Sequence, residues 1–128
     1  MSKTEPLDQA MTLQLQAAEL GFDWRELAEL WSKLAEEVGE LQEAVSEGPD
    51  RIRDELGDLL FMTVNLARHL RVDPGEALTQ ANAKFSRRFG YILQNLEQLP
   101  GMGHPQRLST MEALWQEAKR QERLQGPA

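Results

Sequence analysis

The chain has 128 residues, and 14 basic against 21 acidic side chains give it a formal charge of −7. An apolar fraction of 41% is too high for a disordered protein, and the absence of cysteine excludes disulfides and thiolate metal sites. The acidic balance argues against a nucleic-acid polymer as partner. We expect one domain over residues 1–128. Because no apolar run could span a membrane and no signal peptide is apparent, we also expect a cytoplasmic protein without a membrane partner.

Proline and capping patterns divide the chain into helices. Proline breaks the interior of a helix but is tolerated in its first turn, and all six prolines fall at predicted boundaries. Asp23, Asp73 and Ser109 are each followed three residues later by a glutamate, which is the pattern of a capping box at a helix N-terminus. The predicted helices span residues 6–20, 24–46, 50–71, 74–98 and 110–123.

Apolar residues in the second, third and fourth predicted helices recur at spacings of three and four, as on one face of a helix. No segment alternates apolar and polar residues over the length of a strand. Helices of this length with short connections pack as antiparallel neighbours. The sequence therefore predicts an all-α fold, an antiparallel bundle of about five helices.

Two acidic motifs lie on the second and third predicted helices. The first is Glu36-Glu37-x-x-Glu40, and the second is Glu55-x-x-Asp58. Residues three or four apart share one face of a helix. Because Gly48-Pro49 lies between the helices and predicts a reversal of the chain, we expect the two acidic pairs to converge.

A solvated acidic surface is the simpler explanation of these residues, and three observations count against it. Exposed acids are usually offset by a lysine or arginine four residues later, and none follows here. Glu55 and Asp58 open an apolar segment, residues 59–67, that we expect to be buried around most of its circumference. Gly39 and Gly57 each precede the second acid of a pair, which would let two helix backbones approach closely.

Converging carboxylates repel one another and raise one another's pKa unless a cation lies among them. Ligands that are all oxygen favour a hard divalent ion, with Mg²⁺ as first choice and Mn²⁺ as a substitute. A di-iron bundle would require Glu-x-x-His pairs. The acidic motifs lack these histidines, so iron chemistry is not expected.

Magnesium held by carboxylates usually meets phosphate, so basic side chains one helical turn apart are candidates for binding it. Each of them alone is more simply explained as a surface cation, and a lone tryptophan as part of the core. They carry weight only as a set. The candidate substrate-binding residues are Arg51, Lys84, Arg88, Trp115 and Lys119.

These residues together resemble the MazG nucleoside triphosphate pyrophosphohydrolases of the all-α NTP pyrophosphatase superfamily. The superfamily pattern EExxE followed by ExxD is weak evidence alone. Four further blocks in the same order make the resemblance specific and extend it over most of the chain. They are GFDW at 21–24, GDLLFMTVNLARHL at 57–70, ALTQANAKFSRRF at 77–89 and MEALWQEAKRQE at 111–122.

The resemblance implies Mg²⁺-dependent hydrolysis of nucleoside triphosphates to the monophosphate and pyrophosphate, with attack at the α-phosphorus, as a house-cleaning activity on the nucleotide pool. The implied metal ligands are Glu37, Glu40, Glu55 and Asp58. Glu40 and Glu55 also belong to the implied catalytic set. Glu36 completes that set as a general base or a ligand of a second metal.

The resemblance also implies phosphate contacts and an oligomer. The phosphate-binding positions fall on Lys84, Arg88 and Lys119, with Trp115 lining the nucleotide site. Arg51 stands where the family usually has lysine. Members build their helical core across a subunit interface, so a homodimer is expected, or alternatively a tetramer.

Of the other interpretations of the acidic motifs, one fails and the rest remain open. A Nudix hydrolase fails because Ser32 and Lys33 stand where its motif requires Arg-Glu, Glu40 stands where it requires an apolar residue, and strands are not predicted. A dUTPase or a phosphoribosyl-ATP pyrophosphatase would share the acidic pairs, although the family-specific blocks favour MazG. A non-enzymatic helical module that binds a basic partner protein through its acidic face is the alternative from a different class.

Overall fold

The computed structural model describes residues 5–126, and no strand occurs within them, so the predicted all-α fold is confirmed. None of the helices there is both long and apolar enough to cross a bilayer. The described residues divide into two compact units, unit 1 through Ala77 and unit 2 from Leu78, and the single domain stays a prediction. The helices are α1 (Pro6–Glu19), α2 (Leu27–Ala44), α3 (Pro49–His69), α4 (Pro74–Leu93), a 3₁₀ turn (Leu96–Gln98) and α5 (Arg107–Gln125).

Unit 1 is built on a hairpin of α2 and α3, with α1 also packed against α3. The turn between α2 and α3 is only residues 45–48. Gly48 adopts a φ of +113° there, a conformation that side chains disfavour. Pro49 then opens α3, where a missing backbone N–H costs nothing. The reversal predicted at Gly48-Pro49 is therefore confirmed.

The core of unit 1 is small, with Leu30 and Val64 as its largest fully buried side chains. Segment 59–67 is not buried around most of its circumference, because Leu60 is 54% and Phe61 40% exposed. That expectation is wrong for the single chain, and completion of the core by oligomerisation stays a prediction. The other large apolar side chains of α2 and α3 that lie exposed include Trp31, Val38 and Leu56.

Helix α2 begins three residues later than predicted, and the reason is a tertiary contact. The capping box is Glu26 with Glu29, whose Oε1 accepts a bond of 3.0 Å from the Glu26 N–H. Asp23, the expected cap, instead accepts two bonds from the Arg68 guanidinium, at 2.7 and 3.0 Å. Its carboxylate therefore holds the loop before α2 against α3.

Two further boundaries differ from the sequence prediction, and one cap agrees with it. Helix α5 begins at Arg107, so Ser109 lies inside it and donates its hydroxyl to the Gln106 carbonyl instead of capping. Helix α4 ends at Leu93 instead of residue 98. At its start, Asp73 Oδ1 accepts a bond of 3.0 Å from the Gly75 N–H, as expected of a capping residue.

Candidate metal centre

The α2–α3 hairpin brings three of the predicted ligands together. Glu37, Glu55 and Asp58 each offer a carboxylate oxygen, and these atoms all lie within 4.8 Å of one another. Glu37 and Glu55 are only 6% and 5% exposed, whereas Asp58 is exposed at the edge of the group. We call these three residues the carboxylate cluster. The convergence predicted from helix spacing and the Gly48-Pro49 reversal thus holds for three of the four acids.

Glu40, the fourth acid, lies one turn along α2 from the cluster and is half-buried. The negative charge of Glu37, then burial and the charge of Glu55, raise the pKa of Glu40. Burial, followed by the charges of Asp54, Glu37 and Glu55, likewise raises the pKa of Asp58. Crowding of negative charge is thus the main cause of the raised pKa at Glu40, and a secondary cause after burial at Asp58.

Two cations contact the cluster, Arg51, which is a candidate from the sequence, and Lys33, which is not. Lys33 Nζ lies 3.5 Å from Glu37 Oε1, and Arg51 Nη2 lies 2.9 Å from Glu55 Oε1. Each cation stands four residues before its acid, whereas no basic residue stands four residues after either one. The inference that the acids lack basic partners is therefore wrong for Glu37 and Glu55. The helical i, i−4 spacing was the signal that could have found Lys33.

Each of these cations contacts only one oxygen, Oε1, of its buried carboxylate, and the second oxygen, Oε2, has no such contact. Glu37 Oε2 and Glu55 Oε2 are buried and have no hydrogen-bond partner among residues 5–126. A buried carboxylate oxygen without a partner is costly, and native proteins rarely tolerate it without an ion or water. Two such oxygens beside a third carboxylate form an all-oxygen donor set. This set fits a hard divalent cation such as Mg²⁺.

Two further predicted site residues, Arg51 and Glu36, lie beside the carboxylate cluster and form ion pairs there. Besides Glu55, Arg51 contacts Glu47 at 3.0 Å and Asp54 at 3.3 Å, so its guanidinium is paired with three acids, and its role in substrate binding stays a prediction. Glu36 is 57% exposed, and its Oε1 accepts a bond of 3.3 Å from Lys33. The structure therefore shows Arg51 as a counter-ion of the acidic residues and Glu36 at their solvent-facing edge.

The two glycines beside the acids do not mark a close approach of helices. A Cβ added at Gly39 or at Gly57 would meet nothing within 4 Å among the described residues. The expectation of backbone contact at these positions is therefore wrong within one chain.

Unit 2 groups several of the predicted substrate-binding residues. Arg88 Nη2 lies 3.1 Å from Glu122 Oε2, and the Arg88 guanidinium lies 5.7 Å from the centre of the Trp115 ring. The Phe85 ring packs against the Trp115 ring, with 5.4 Å between the two ring centres. Lys119 lines a shallow surface pocket with Arg88 and Glu122.

The acid in this group was missed by the sequence argument. The hydrogen bond from Arg88, and more weakly the charge of Lys84, lowers the pKa of Glu122. Lys84 itself is exposed. No spacing rule pairs a residue of α4 with one of α5, so only the fold could show that Glu122 neutralises Arg88.

A family model matches the chain over residues 25–92, a segment that contains both acidic motifs. Its description is the MazG nucleotide pyrophosphohydrolase domain. The chain belongs to the MazG family. The resemblance drawn from the sequence blocks is thereby confirmed, and the superfamily alternatives and the Nudix interpretation are set aside.

Named relatives agree with this membership. A nucleoside triphosphate pyrophosphohydrolase of Escherichia coli K12 is 40% identical over 124 residues, covering 91% of this chain and 45% of that protein. The Thermotoga maritima protein named nucleoside triphosphate pyrophosphohydrolase/pyrophosphatase MazG is 36% identical over 113 residues, or 88% and 44%. The uncharacterized YabN of Bacillus subtilis is 43% identical over 80 residues, or 61% and 16%. The chain thus spans less than half the length of each of these relatives.

Proposed function

We propose that this chain hydrolyses nucleoside triphosphates to the nucleoside monophosphate and pyrophosphate, with Mg²⁺ as the preferred divalent cation. The observation that carries the proposal is the carboxylate cluster, in which two buried oxygens lack partners among the described residues. Membership of the MazG family and the names of two relatives support the reaction class.

The residues that would hold the cation are those of the carboxylate cluster, with Glu40 as a fourth ligand from the next turn of α2. A bound divalent cation would neutralise phosphate oxygens and lower the cost of the charge that develops during phosphoryl transfer. The raised pKa of Glu40 supports this assignment because it comes mainly from repulsion by Glu37, which a cation would relieve, and the same repulsion adds to burial in raising the pKa of Asp58.

Two basic residues of the chain would orient these ligands. Lys33 and Arg51 bind the Oε1 atoms of Glu37 and Glu55, so that each Oε2 stays available. A ligand oriented in advance loses less conformational entropy when it binds. Glu36 is proposed as the general base that accepts a proton from the attacking water, because its exposed carboxylate lies beside the cluster on α2.

The remaining functional assignments rest on the family resemblance. Lys84, Arg88 and Lys119 are proposed phosphate contacts and Trp115 a nucleotide contact. The grouping of Arg88, Trp115 and Lys119 in unit 2 supports their action as a set. We further propose a cytoplasmic homodimer, with a tetramer as the alternative. The exposed apolar side chains of α2 and α3 support association of this kind.

Pyrophosphate release tests the reaction and the cluster together. A panel of standard and modified nucleoside triphosphates should yield pyrophosphate with Mg²⁺ and not in EDTA. Glu40→Gln and Asp58→Asn should each lower turnover by more than about 100-fold, because a metal ligand matters at least as much as its supporting contacts. Helical content measured by circular dichroism should not change.

Matched controls lie on the same two helices. Glu43 and Asp50 are exposed carboxylates of α2 and α3, so Glu43→Gln and Asp50→Asn should keep wild-type turnover. Wild-type pyrophosphate release by Glu40→Gln and Asp58→Asn would remove the acids from the mechanism. If titration calorimetry detected neither Mg²⁺ nor a non-hydrolysable triphosphate bound to the wild type, the chain would instead be a non-enzymatic interaction module.

A further inference from the structure

Unit 1 contains a cavity between α1, the loop before α2, and α3. Its volume is about 400 Å³, within the range of small-molecule sites. Its walls are mostly apolar and include three aromatic rings, those of Phe22, Trp24 and Phe61. Flat aromatic walls around a space of this size suit a planar aromatic ligand.

Two side chains that line the cavity have a buried polar atom without a hydrogen-bond partner among the described residues, the donor Nε of Arg68 and the acceptor Oε1 of Gln14. Gln14 is only 5% exposed and lines the cavity. Its Nε2 donates a bond of 3.0 Å to the Phe61 carbonyl, which fixes the amide orientation because a carbonyl can only accept. Gln14 Oε1 is therefore a buried acceptor, and it has no donor anywhere in the described part of the chain. An apolar side chain would avoid this cost, so the acceptor points to a ligand that supplies an N–H.

The cavity and the carboxylate cluster both use residues of α3. Met62 lies on the cavity wall and follows Asp58 by four residues, so the two share one face of the helix about 6 Å apart along its axis. A ligand with its phosphates at the carboxylates can therefore extend its other end into the cavity. Both features lie in unit 1.

The loop wall of the cavity is held in place by a set of charged contacts. Asp23 accepts hydrogen bonds from Arg68 of α3, and its Oδ1 also accepts a bond of 2.8 Å from the Trp24 N–H. His69 Nε2 lies 3.0 Å from the same oxygen. The Trp24 backbone is thus fixed relative to α3, which gives the cavity a defined shape before any ligand binds.

We propose that this cavity binds the nucleobase of the triphosphate and that Gln14 selects the base by accepting an N–H from its edge. The aromatic side chains pack on the faces of the base. The inference rests on the proposed function, since it assigns the other end of the same substrate. It names the ligand class as a planar heterocycle with an amino or ring N–H donor.

Binding measurements separate the base from the phosphates. Calorimetric titration with Mg²⁺ would compare α,β-methylene triphosphates of adenosine, guanosine, cytidine and uridine with tripolyphosphate, which has no base. The wild type should bind its preferred analogue about 10-fold or more tightly than tripolyphosphate. Gln14→Met should weaken that analogue by about 3- to 10-fold, the value of one neutral hydrogen bond, and flatten the preference among bases.

Two further variants complete the design. Gln16 is an exposed residue of the same helix, and Gln16→Met should bind every ligand as the wild type does. Ala17→Leu narrows the cavity and keeps the Gln14 side chain, so it should weaken all four analogues and leave tripolyphosphate unchanged. It also tests the cavity if Gln14→Met fails to fold.

Three results would overturn the proposal. They are an unchanged base preference in Gln14→Met, an equal loss of affinity for tripolyphosphate in that variant, or wild-type binding of tripolyphosphate as tight as that of every analogue. Failure of the proposed hydrolysis would look different. In that case the wild type would still bind the analogues with a base preference that depends on Gln14, but nucleoside triphosphates would release no pyrophosphate.

Discussion

Unit 1 has two acidic regions, Asp23 and the group around the carboxylate cluster, in which the pKa values of carboxyl groups shift in opposite directions. Asp23 accepts hydrogen bonds from Arg68 and the Trp24 N–H, and the bond from Arg68 above all lowers its pKa far below the ordinary value. At Glu40 and Asp58, neighbouring carboxylates and burial raise the pKa instead.

The difference separates a structural acid from a functional group of acids. The Asp23 carboxylate has partners within the chain and fixes a loop to α3. The carboxylate cluster keeps two buried oxygens for which residues 5–126 supply no partner. Buried polar atoms without partners are tolerated where they serve a ligand, and this contrast supports the proposal that the cluster is the functional region.

The largest effect should come from adding a divalent cation. Binding to the folded state alone stabilises it by about 2.7 kcal/mol when the cation is present at about 100 times its dissociation constant. The unfolding midpoint of the wild type in Mg²⁺ should therefore exceed that in EDTA. Glu55→Gln should abolish the increment and Asp23→Asn should keep it. An equal increment in Glu55→Gln and the wild type would show that the cation binds elsewhere.

A smaller effect, of opposite sign in the two regions, is expected without metal. Asp23→Asn should lower the free energy of unfolding by about 1–3 kcal/mol, because Arg68 loses its charged acceptor in a half-buried position. Asp58→Asn should leave that free energy unchanged or raised, since it removes a repelled charge. Urea unfolding in EDTA measures both. Equal destabilisation by the two substitutions would contradict the contrast.

The smallest effect is the pH dependence of the metal-free protein. Asp23 has a folded pKa below its unfolded value, so its stabilising contribution is complete above about pH 4 and is lost as the pH falls further. Glu40 and Asp58 have raised folded pKa values, so their ionisation penalty is present at neutral pH and is relieved on acidification.

As the pH is lowered from neutral, the free energy of unfolding of the metal-free protein should therefore first rise slightly and then fall below about pH 4. Asp58→Asn should weaken the rise, and Asp23→Asn should weaken the fall. Denaturation midpoints across this pH range check both changes. If Asp58→Asn showed the same increase in stability on acidification as the wild type, groups other than Asp58 would cause that increase.

Local sequence signals predicted the helices and the convergence of the acids. Apolar periodicity marked the helices, and Gly48-Pro49 marked the reversal that sets Glu37 opposite Glu55. These features depend on residues close together in the chain. The start of α2 did not follow from such signals, because Asp23 has the chemistry of a cap. Its carboxylate is taken by Arg68, which lies 45 residues away.

The unsatisfied atoms of the site could not be predicted in the same way. Gln14 has the sequence character of a surface residue on α1, and only packing against α3 buries its amide. The pairing of Lys33 with Glu37 was within reach of helix spacing, since both lie on α2. The pairing of Arg88 with Glu122 joins two helices and required the fold.

The short connection between α2 and α3 also has a kinetic consequence. Glu37 and Asp58 are separated by only 21 positions in the chain, and the entropy of closing a loop grows with its length. Contacts this local form early when a chain collapses. Repulsion among the carboxylates then raises the free energy of the first compact states. We therefore expect a divalent cation to speed folding as well as to slow unfolding.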